Sequence, residues 1–134
     1  MRFFGPYGVP EGILVDLPSY ADHPAILVLC TCPEGPVALD IARVLVKEGL
    51  AACVNRIPAL TSIYEWQGRV CEESEQLLMI KTIPARYEAL EMRLKALHPY
   101  EIPEIIAIPV VNGSSPYLAW LSAATDPNTA NSNY

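Results

Sequence analysis

Two cysteines and one histidine are the residues of this sequence whose types and spacing best suit a chemical role. Cys30 and Cys32 are two positions apart in an apolar run that is typical of a strand, so both side chains are expected on one face of a sheet. A thiol pair suits Cu(I) or another soft metal ion. His98 is the only histidine within the regular part of the chain, and it could join a thiolate or a carboxylate as a ligand. Cys30, Cys32 and His98 are therefore candidate ligands of a metal ion.

Each of these residues also has a purely structural interpretation. A cysteine at a strand end can be a small core hydrophobe, and a histidine before Pro99 can cap a helix or lie on the surface. One thiolate and one imidazole form an incomplete shell, which Cys32, a carboxylate such as Glu101, or water would have to complete. Cys30 ends the first predicted strand and His98 ends the second predicted helix. A shared site therefore requires either a favourable loop path or a neighbouring subunit.

A second set of residues combines aromatic rings, carboxylates and one lysine around a predicted hairpin and the loop before the last strand. Such residues could line a small-molecule cleft between subunits. They could equally form an interface ion pair beside packed aromatic rings. The set consists of Tyr64, Glu65, Trp66, Lys81, Tyr100, Glu101 and Glu104.

The sequence contains no convincing catalytic group. Cys30 or Cys53 could in principle pair with His98 as nucleophile and base, but nothing in the sequence supplies an orienting third group or oxyanion donors. There is no glycine-rich phosphate loop and no Cys-x-x-Cys motif. We therefore expect a binding or regulatory protein rather than an enzyme, with a thiolate enzyme as a third alternative.

Composition excludes several other classes of function. The chain has 134 residues, of which 51% are hydrophobic and 18% charged, with a formal net charge of -6. This indicates one domain with a large core or with apolar surface buried against another subunit. The nine basic residues are scattered, so we expect no nucleic-acid partner. No apolar segment approaches the roughly 20 residues that span a bilayer, so we expect no membrane insertion. Without a convincing export signal, we expect a cytoplasmic protein with reduced thiols.

Hydrophobic periodicity and the positions of glycine and proline predict the elements that must position these residues. Ala25–Thr31 is a short run rich in branched residues, typical of a central strand. Gly49 is expected in a left-handed conformation at the end of the first helix, and Pro109 favours an edge position for the last strand. The predicted elements are a strand at 25–31, a helix at 36–48, strands at 50–57, 61–66 and 69–82, a helix at 84–98, a strand at 104–111 and a short helix from 115.

This order predicts an α+β fold of the ferredoxin-like, split-βαβ type, with both helices on one face of an antiparallel sheet. The hairpin at 61–82 is longer than a small sheet can cover, and Trp66 lies at its tip. We therefore expect three hairpins to pair around a three-fold axis, which also removes exposed strand edges. The predicted domain spans 25–123, after a partly ordered extension at 1–24 and before a flexible tail at 124–134.

Several motifs resemble the CutA divalent-cation-tolerance family in order and spacing, over residues 25–123. They are Leu50-Ala51-Ala52-Cys53-Val54-Asn55, Ser62-Ile63-Tyr64-Glu65-Trp66-Gln67-Gly68, Ile80-Lys81-Thr82, His98-Pro99-Tyr100-Glu101-Ile102-Pro103-Glu104-Ile105 and Tyr117-Leu118-Ala119-Trp120. Several separate motifs in register make the resemblance specific.

The resemblance implies a ferredoxin-like subunit in a tight homotrimer associated with tolerance to copper and other divalent cations. It also implies copper ligands at the positions of Cys30 and His98. A second imidazole that some members carry is Leu97 in this sequence, which removes one ligand. The family's architecture is similar to that of trimeric nitrogen-regulatory signalling proteins. The alternative function is therefore a ligand-sensing signalling trimer that binds a small molecule in its inter-subunit cleft.

Overall fold

The computed structural model describes residues 21–128 as one antiparallel sheet packed against helices. The elements are β1 (Ala25–Pro33), α1 (Val37–Lys47), β2 (Cys53–Trp66), β3 (Arg69–Thr82), a 3-10 turn (Pro84–Arg86), α2 (Tyr87–Leu97), β4 (Ile106–Val110) and α3 (Ser115–Thr125). This is a β-α-β-β-α-β order with a terminal helix, in which one strand replaces the two predicted at 50–57 and 61–66. The elements expected at 36–48, 69–82 and 84–98 lie within a few residues of their predicted bounds.

The four strands lie in the order β2-β3-β1-β4, and each neighbouring pair is antiparallel. The central position of β1 and the edge position of β4 both agree with the sequence prediction. Because alternate residues of a strand face opposite sides, β1 presents Ile26, Val28, Cys30 and Cys32 to α1 and α2. These side chains form one buried cluster with residues of both helices, among them Ile41, Leu45, Leu90 and Leu94. We call this side the helix face of the sheet and the other side its open face.

Helix α1 ends where the sequence predicts, at a glycine in the left-handed region. Gly49 has a φ of 71°, which a residue without a Cβ adopts at little cost, and its N–H donates to the carbonyl of Val46. The next N–H, that of Leu50, donates to the Leu45 carbonyl at 3.0 Å. These bonds turn the chain out of the helix and lead it into β2.

Strand β2 differs from its prediction, because the expected strands at 50–57 and 61–66 form one strand from Cys53 to Trp66. Its register against β3 shifts between Ile57 and Leu60, where Ala59 has a φ of 58°. Pro58 indicates a strand end in the sequence, but β2 is an edge strand, where a missing N–H need not break the ladder. The bulge accommodates the shift in register, so β2 and β3 continue to pair beyond it.

Beyond the bulge, one face of the hairpin is half-buried and the other is exposed. Tyr64 pairs with Cys71 and Ser62 with Glu73, and all four side chains are partly buried. Along β3 the same alternation includes Glu75, which pairs with Pro33 of β1, whereas Cys32 pairs with Gln76. The half-buried side of the hairpin therefore continues the open face of the sheet.

Helix α3 continues past the start of the predicted tail. Thr125 is fully buried, its hydroxyl donates to the Leu121 carbonyl at 2.8 Å, and Arg86 Nε donates to the Thr125 carbonyl at 2.8 Å. These bonds hold residues 124 and 125 in the helix. The predicted extension at 1–24 and the rest of the tail fall largely outside the described residues. Among the described helices, none has the length and apolarity that a membrane crossing requires.

Candidate metal centre

The structure brings the three predicted metal ligands together within one chain. Cys30 and Cys32 extend from β1 towards the helices and have no exposed surface, and His98 is 7% exposed. One ligand atom from each residue lies within 4.8 Å of the others, the sulphur atoms of the cysteines and a ring nitrogen of the histidine. The sequence left open a loop path or a neighbouring subunit as the way to join them, and within this chain the loop path does so.

That loop path follows from the short length of β4. Strand β4 pairs with β1 only from Ala25 to Leu29, so the second half of β1 has a free edge on that side. His98 occupies this edge immediately after α2, and its Nε2 lies 2.8 Å from the carbonyl oxygen of Thr31. The backbone N–H of Tyr100 donates to His98 Nδ1 at 3.1 Å. The imidazole therefore substitutes for a strand neighbour at the end of β1.

The two thiols have pKa values that are shifted in opposite directions. A hydrogen bond from Cys30 lowers the pKa of Cys32 to about 6, helped by His98 and opposed by burial. The same bond to Cys32, with burial, raises the pKa of Cys30 far above its ordinary value. Cys30 thus stays protonated at neutral pH, and its S–H donates a hydrogen bond to the Cys32 thiolate. A thiolate is the form of cysteine that binds metal ions.

The hydrogen bonds of His98 define its tautomer. A carbonyl can only accept, so the proton lies on Nε2; a backbone N–H can only donate, so Nδ1 carries none. Burial lowers the pKa of His98, but its bonds to the Cys32 thiolate and the Thr31 carbonyl outweigh burial and raise that pKa. The Tyr100 N–H at Nδ1 acts in the opposite sense, because a doubly protonated ring could not accept it. In the neutral ring, the proton is therefore on Nε2.

Glu75 is a buried neighbour of this cluster that the sequence analysis missed. Glu75 lies in the polar first half of β3, yet it has no exposed surface. The hydroxyl of Tyr100 donates to Glu75 Oε2 at 2.8 Å. Alternation along β3 places Glu75 on the open face, so the loop that carries His98 and Tyr100 wraps the edge of the sheet. In the sequence, only Tyr100, two positions after His98, could have indicated that this loop contacts a buried polar residue such as Glu75.

Four of the seven predicted cleft residues line one cavity of about 670 Å³ beside this loop. They are Tyr64, Trp66, Tyr100 and Glu101, and the sequence analysis missed their companions Cys71, Glu73 and Pro99. The cross-strand pairing of Tyr64 with Cys71 explains how the β3 residues join the set. Glu101, which was considered as a fourth metal ligand, lies in this cavity and is not part of the thiol cluster.

The other three predicted cleft residues lie elsewhere, which corrects the single cleft expected from the sequence. Glu65 is exposed on the opposite face of the hairpin, because its neighbours Tyr64 and Trp66 take the half-buried face. Lys81 lines a separate, mainly apolar cavity of about 280 Å³, with its Nζ 5.8 Å from the ring centre of Tyr117. Glu104 is half-buried, and burial together with the charge of Glu75 raises its pKa.

The chemistry of the cluster suits a metal ion. Two sulphur donors and an imidazole converge in a buried space, and the cluster includes no carboxylate. Such a donor set favours soft ions, which thiolates select over the hard ions that bind oxygen. The three residues therefore form a candidate centre for a soft metal ion.

Comparison with known proteins identifies the family to which this fold belongs. The family model described as "CutA1 divalent ion tolerance protein" matches residues 26–124. The chain belongs to the CutA1 family. A CutA1 relative from Thermus thermophilus, named "Divalent-cation tolerance protein CutA", is 52% identical over 99 residues, which are 74% of this chain and 96% of the relative. The solved structure of Cut A1 from that organism gives a TM-score of 0.71 at 52% identity, covering 72% of this chain and 94% of that one.

The names of other CutA1 proteins include two further compartments. A relative from Arabidopsis thaliana named "Protein CutA, chloroplastic" is 44% identical over 102 residues, 76% of this chain and 56% of the relative. A solved structure described as a periplasmic CutA from Archaeoglobus fulgidus gives a TM-score of 0.73 at 30% identity, covering 76% of this chain and 99% of that one. The names of these two CutA proteins thus place them in two different compartments.

Proposed function

We propose that this CutA1 protein binds copper, or another soft metal ion, in the Cys30, Cys32 and His98 cluster, and that it acts in the response to metal ions as a binding protein rather than an enzyme. The observation that carries the proposal is the convergence of three ligand atoms within 4.8 Å of one another in a buried space. Divalent-cation tolerance in the names of its relatives supports the proposal. The low pKa of Cys32 adds support, because a thiolate is present before any ion arrives.

Calorimetric titration with copper under reducing conditions tests the proposal. We expect one site per chain in the wild type and none in the double variant Cys30→Ser, Cys32→Ser. The matched control is Cys53→Ser, Cys71→Ser, which removes the two partly buried cysteines outside the cluster and should bind as the wild type does. If the cluster variant bound copper as tightly as the control, the cluster would not be the metal site.

The working form we propose is a homotrimer of ferredoxin-like subunits in the cytoplasm. Large apolar side chains on the edge strands and hairpin are exposed in the single chain, among them Ile57, Ile63, Val70, Ile106 and Ile108. Such surface favours burial against other copies. Light scattering at micromolar concentration should give three times 14.7 kDa. A monomer or a dimer would contradict this assembly.

A second candidate function is the binding of a small organic cation in the 670 Å³ cavity, as a signalling input. Three aromatic rings and two carboxylates line it, from Tyr64, Trp66, Tyr100, Glu73 and Glu101, and no lysine or arginine is among the described lining residues. Aromatic faces and carboxylates together attract ammonium groups. The cavity therefore favours a cation over an anion of the same size.

Tryptophan fluorescence distinguishes this candidate. In a Trp120→Phe background, Trp66 is the remaining tryptophan and reports on the cavity. We expect tetraethylammonium to change its emission saturably, and propionate to leave it unchanged. Glu73→Gln should weaken the response, whereas Glu88→Gln on the exposed side of α2 should not. Equal responses to both probes would contradict a cation site.

A further inference from the structure

Both ring nitrogens of His98 are already engaged in hydrogen bonds. Nε2 lies 2.8 Å from the Thr31 carbonyl oxygen, and Nδ1 accepts the backbone N–H of Tyr100 at 3.1 Å. The partners fix the directions of these bonds, so Nε2 carries the proton and the lone pair of Nδ1 points at an amide. A metal ligand must offer a free lone pair. In this arrangement, His98 offers none.

Freeing a nitrogen of His98 would break bonds that water cannot easily replace. If the proton moved from Nε2 to Nδ1, the ring and the Tyr100 amide would face each other as two donors. If the ring rotated instead, the carbonyl of Thr31 would lose its partner at the sheet edge. His98 is only 7% exposed, so the groups left behind would be buried without their present bonds, which is costly.

The cysteine pair faces no such obstacle. Cys30 and Cys32 point to the same face of β1 from alternate positions, and their sulphur atoms can lose protons without breaking a backbone hydrogen bond of the sheet. Cys30 Sγ lies 3.8 Å from the Thr31 carbonyl oxygen, which is a weak contact. The pair can therefore bind an ion without a change in the His98 loop.

The donor set also bears on the kind of ion. Zn²⁺ in proteins takes four ligands, and Cu²⁺ favours square arrangements of nitrogen and oxygen donors. The described cluster offers two sulphur atoms and one engaged imidazole, with no carboxylate among its members. Cu(I) is the form of copper that thiolates select.

We propose that the ion is Cu(I), that the thiolates of Cys30 and Cys32 alone hold it, and that His98 is a positioning residue whose ring stays bonded to Thr31 and Tyr100. This inference rests on the proposed copper binding at the cluster and assigns the oxidation state and the ligands. His98 supports the site from outside by holding the end of β1 and by keeping an N–H close to the Cys32 sulphur.

Two spectroscopic measurements on the full-length wild type test the inference without any variant. X-ray absorption of the anaerobic Cu(I) complex should show sulphur neighbours and no nitrogen at ligand distance. Nitrogen NMR of the imidazole should show Nε2 still protonated when Cu(I) is bound. A bound nitrogen, or an Nε2 without its proton, would overturn the inference.

Affinity measurements with a coloured Cu(I) chelator as competitor separate this inference from the broader proposal. Cys30→Ser and Cys32→Ser should each abolish measurable competition. His98→Gln, whose amide can still donate to Thr31, should lose no more than about 10-fold, the smaller end of the effect of a supporting residue. A His98→Gln loss as complete as that of the cysteine variants would make His98 a ligand and overturn the inference. Wild-type affinity in both cysteine variants would instead overturn the proposed site itself.

Discussion

The Tyr100 hydroxyl donates to the carboxylate of Glu75 at 2.8 Å, and Glu75 is fully buried. The same residue donates its backbone N–H to His98, and its ring centre lies 4.7 Å from that of His98. Tyr100 therefore contacts the imidazole through its backbone and ring, and a carboxylate on the other face of the sheet through its hydroxyl. It also lines the aromatic cavity. One residue thus connects the thiol cluster to the cavity.

Tyr100→Phe should destabilise the protein by about 1–3 kcal/mol, because a buried carboxylate loses a hydrogen-bond donor. Urea unfolding of the metal-free protein measures the change. Tyr117→Phe is the matched control, since that ring is 41% exposed and should change the free energy of unfolding little. Equal effects of the two substitutions would show that the bond to Glu75 contributes little.

The thiol pair should make stability depend on pH. The pKa of Cys32 falls from 9.0 to about 6 on folding, so the unfolded chain binds more protons between these values. The resulting stabilisation is complete near pH 9 and is lost as the pH falls through about 6. Above pH 9 the raised pKa of Cys30 acts in the opposite direction. The difference between wild type and Cys32→Ser in urea unfolding isolates this effect from other groups. A difference that stayed constant from pH 6 to pH 9 would contradict it.

Much of the fold could be predicted because its signals are local. The branched run at Ala25–Thr31, the glycine at position 49 and the proline at position 109 each reflect a constraint on backbone conformation or hydrogen bonding that neighbouring residues do not alter. The shared face of Cys30 and Cys32 follows from strand alternation alone. These features needed no knowledge of the rest of the chain.

The missed features depend on contacts between distant segments. His98 meets Cys32 because β4 begins only at Ile106 and leaves room beside the second half of β1, a strand length that the sequence does not reveal. Glu75 is buried because Tyr100 reaches it from 25 positions away. The bulge after Ile57 was missed because a proline ends a central strand but is tolerated at an edge.

Gly49→Val should cost on the order of 1 kcal/mol or more, because a β-branched residue is strained at a φ of 71°. Gly49→Asn should cost less, since asparagine tolerates the left-handed region better than other residues with a Cβ. Thermal unfolding of the two variants at equal protein concentration checks the order. If valine cost no more than asparagine, strain at this φ would not explain the choice of glycine.

Ala59 offers the reverse experiment at the hairpin bulge. Its φ of 58° strains a residue with a Cβ, so Ala59→Gly should relieve that strain and offset the entropy cost of glycine. Ala89→Gly, at an exposed position within α2, has no strain to relieve and should cost about 1 kcal/mol. We expect Ala59→Gly to be the more favourable of the two by about 1 kcal/mol or more in urea unfolding. Equal costs would show that the bulge tolerates alanine without strain.

The complete burial of both cluster sulphurs separates how tightly an ion is held from how quickly it exchanges. Neither Cys30 nor Cys32 has exposed surface, so an ion or a chelator can reach them only when a segment that covers them opens. Opening of that kind occurs on timescales from microseconds to seconds and is set by local stability rather than by diffusion. Uptake and release of the ion would then both depend on this opening. Substitutions that destabilise the covering segment would speed both processes while leaving the donor atoms intact.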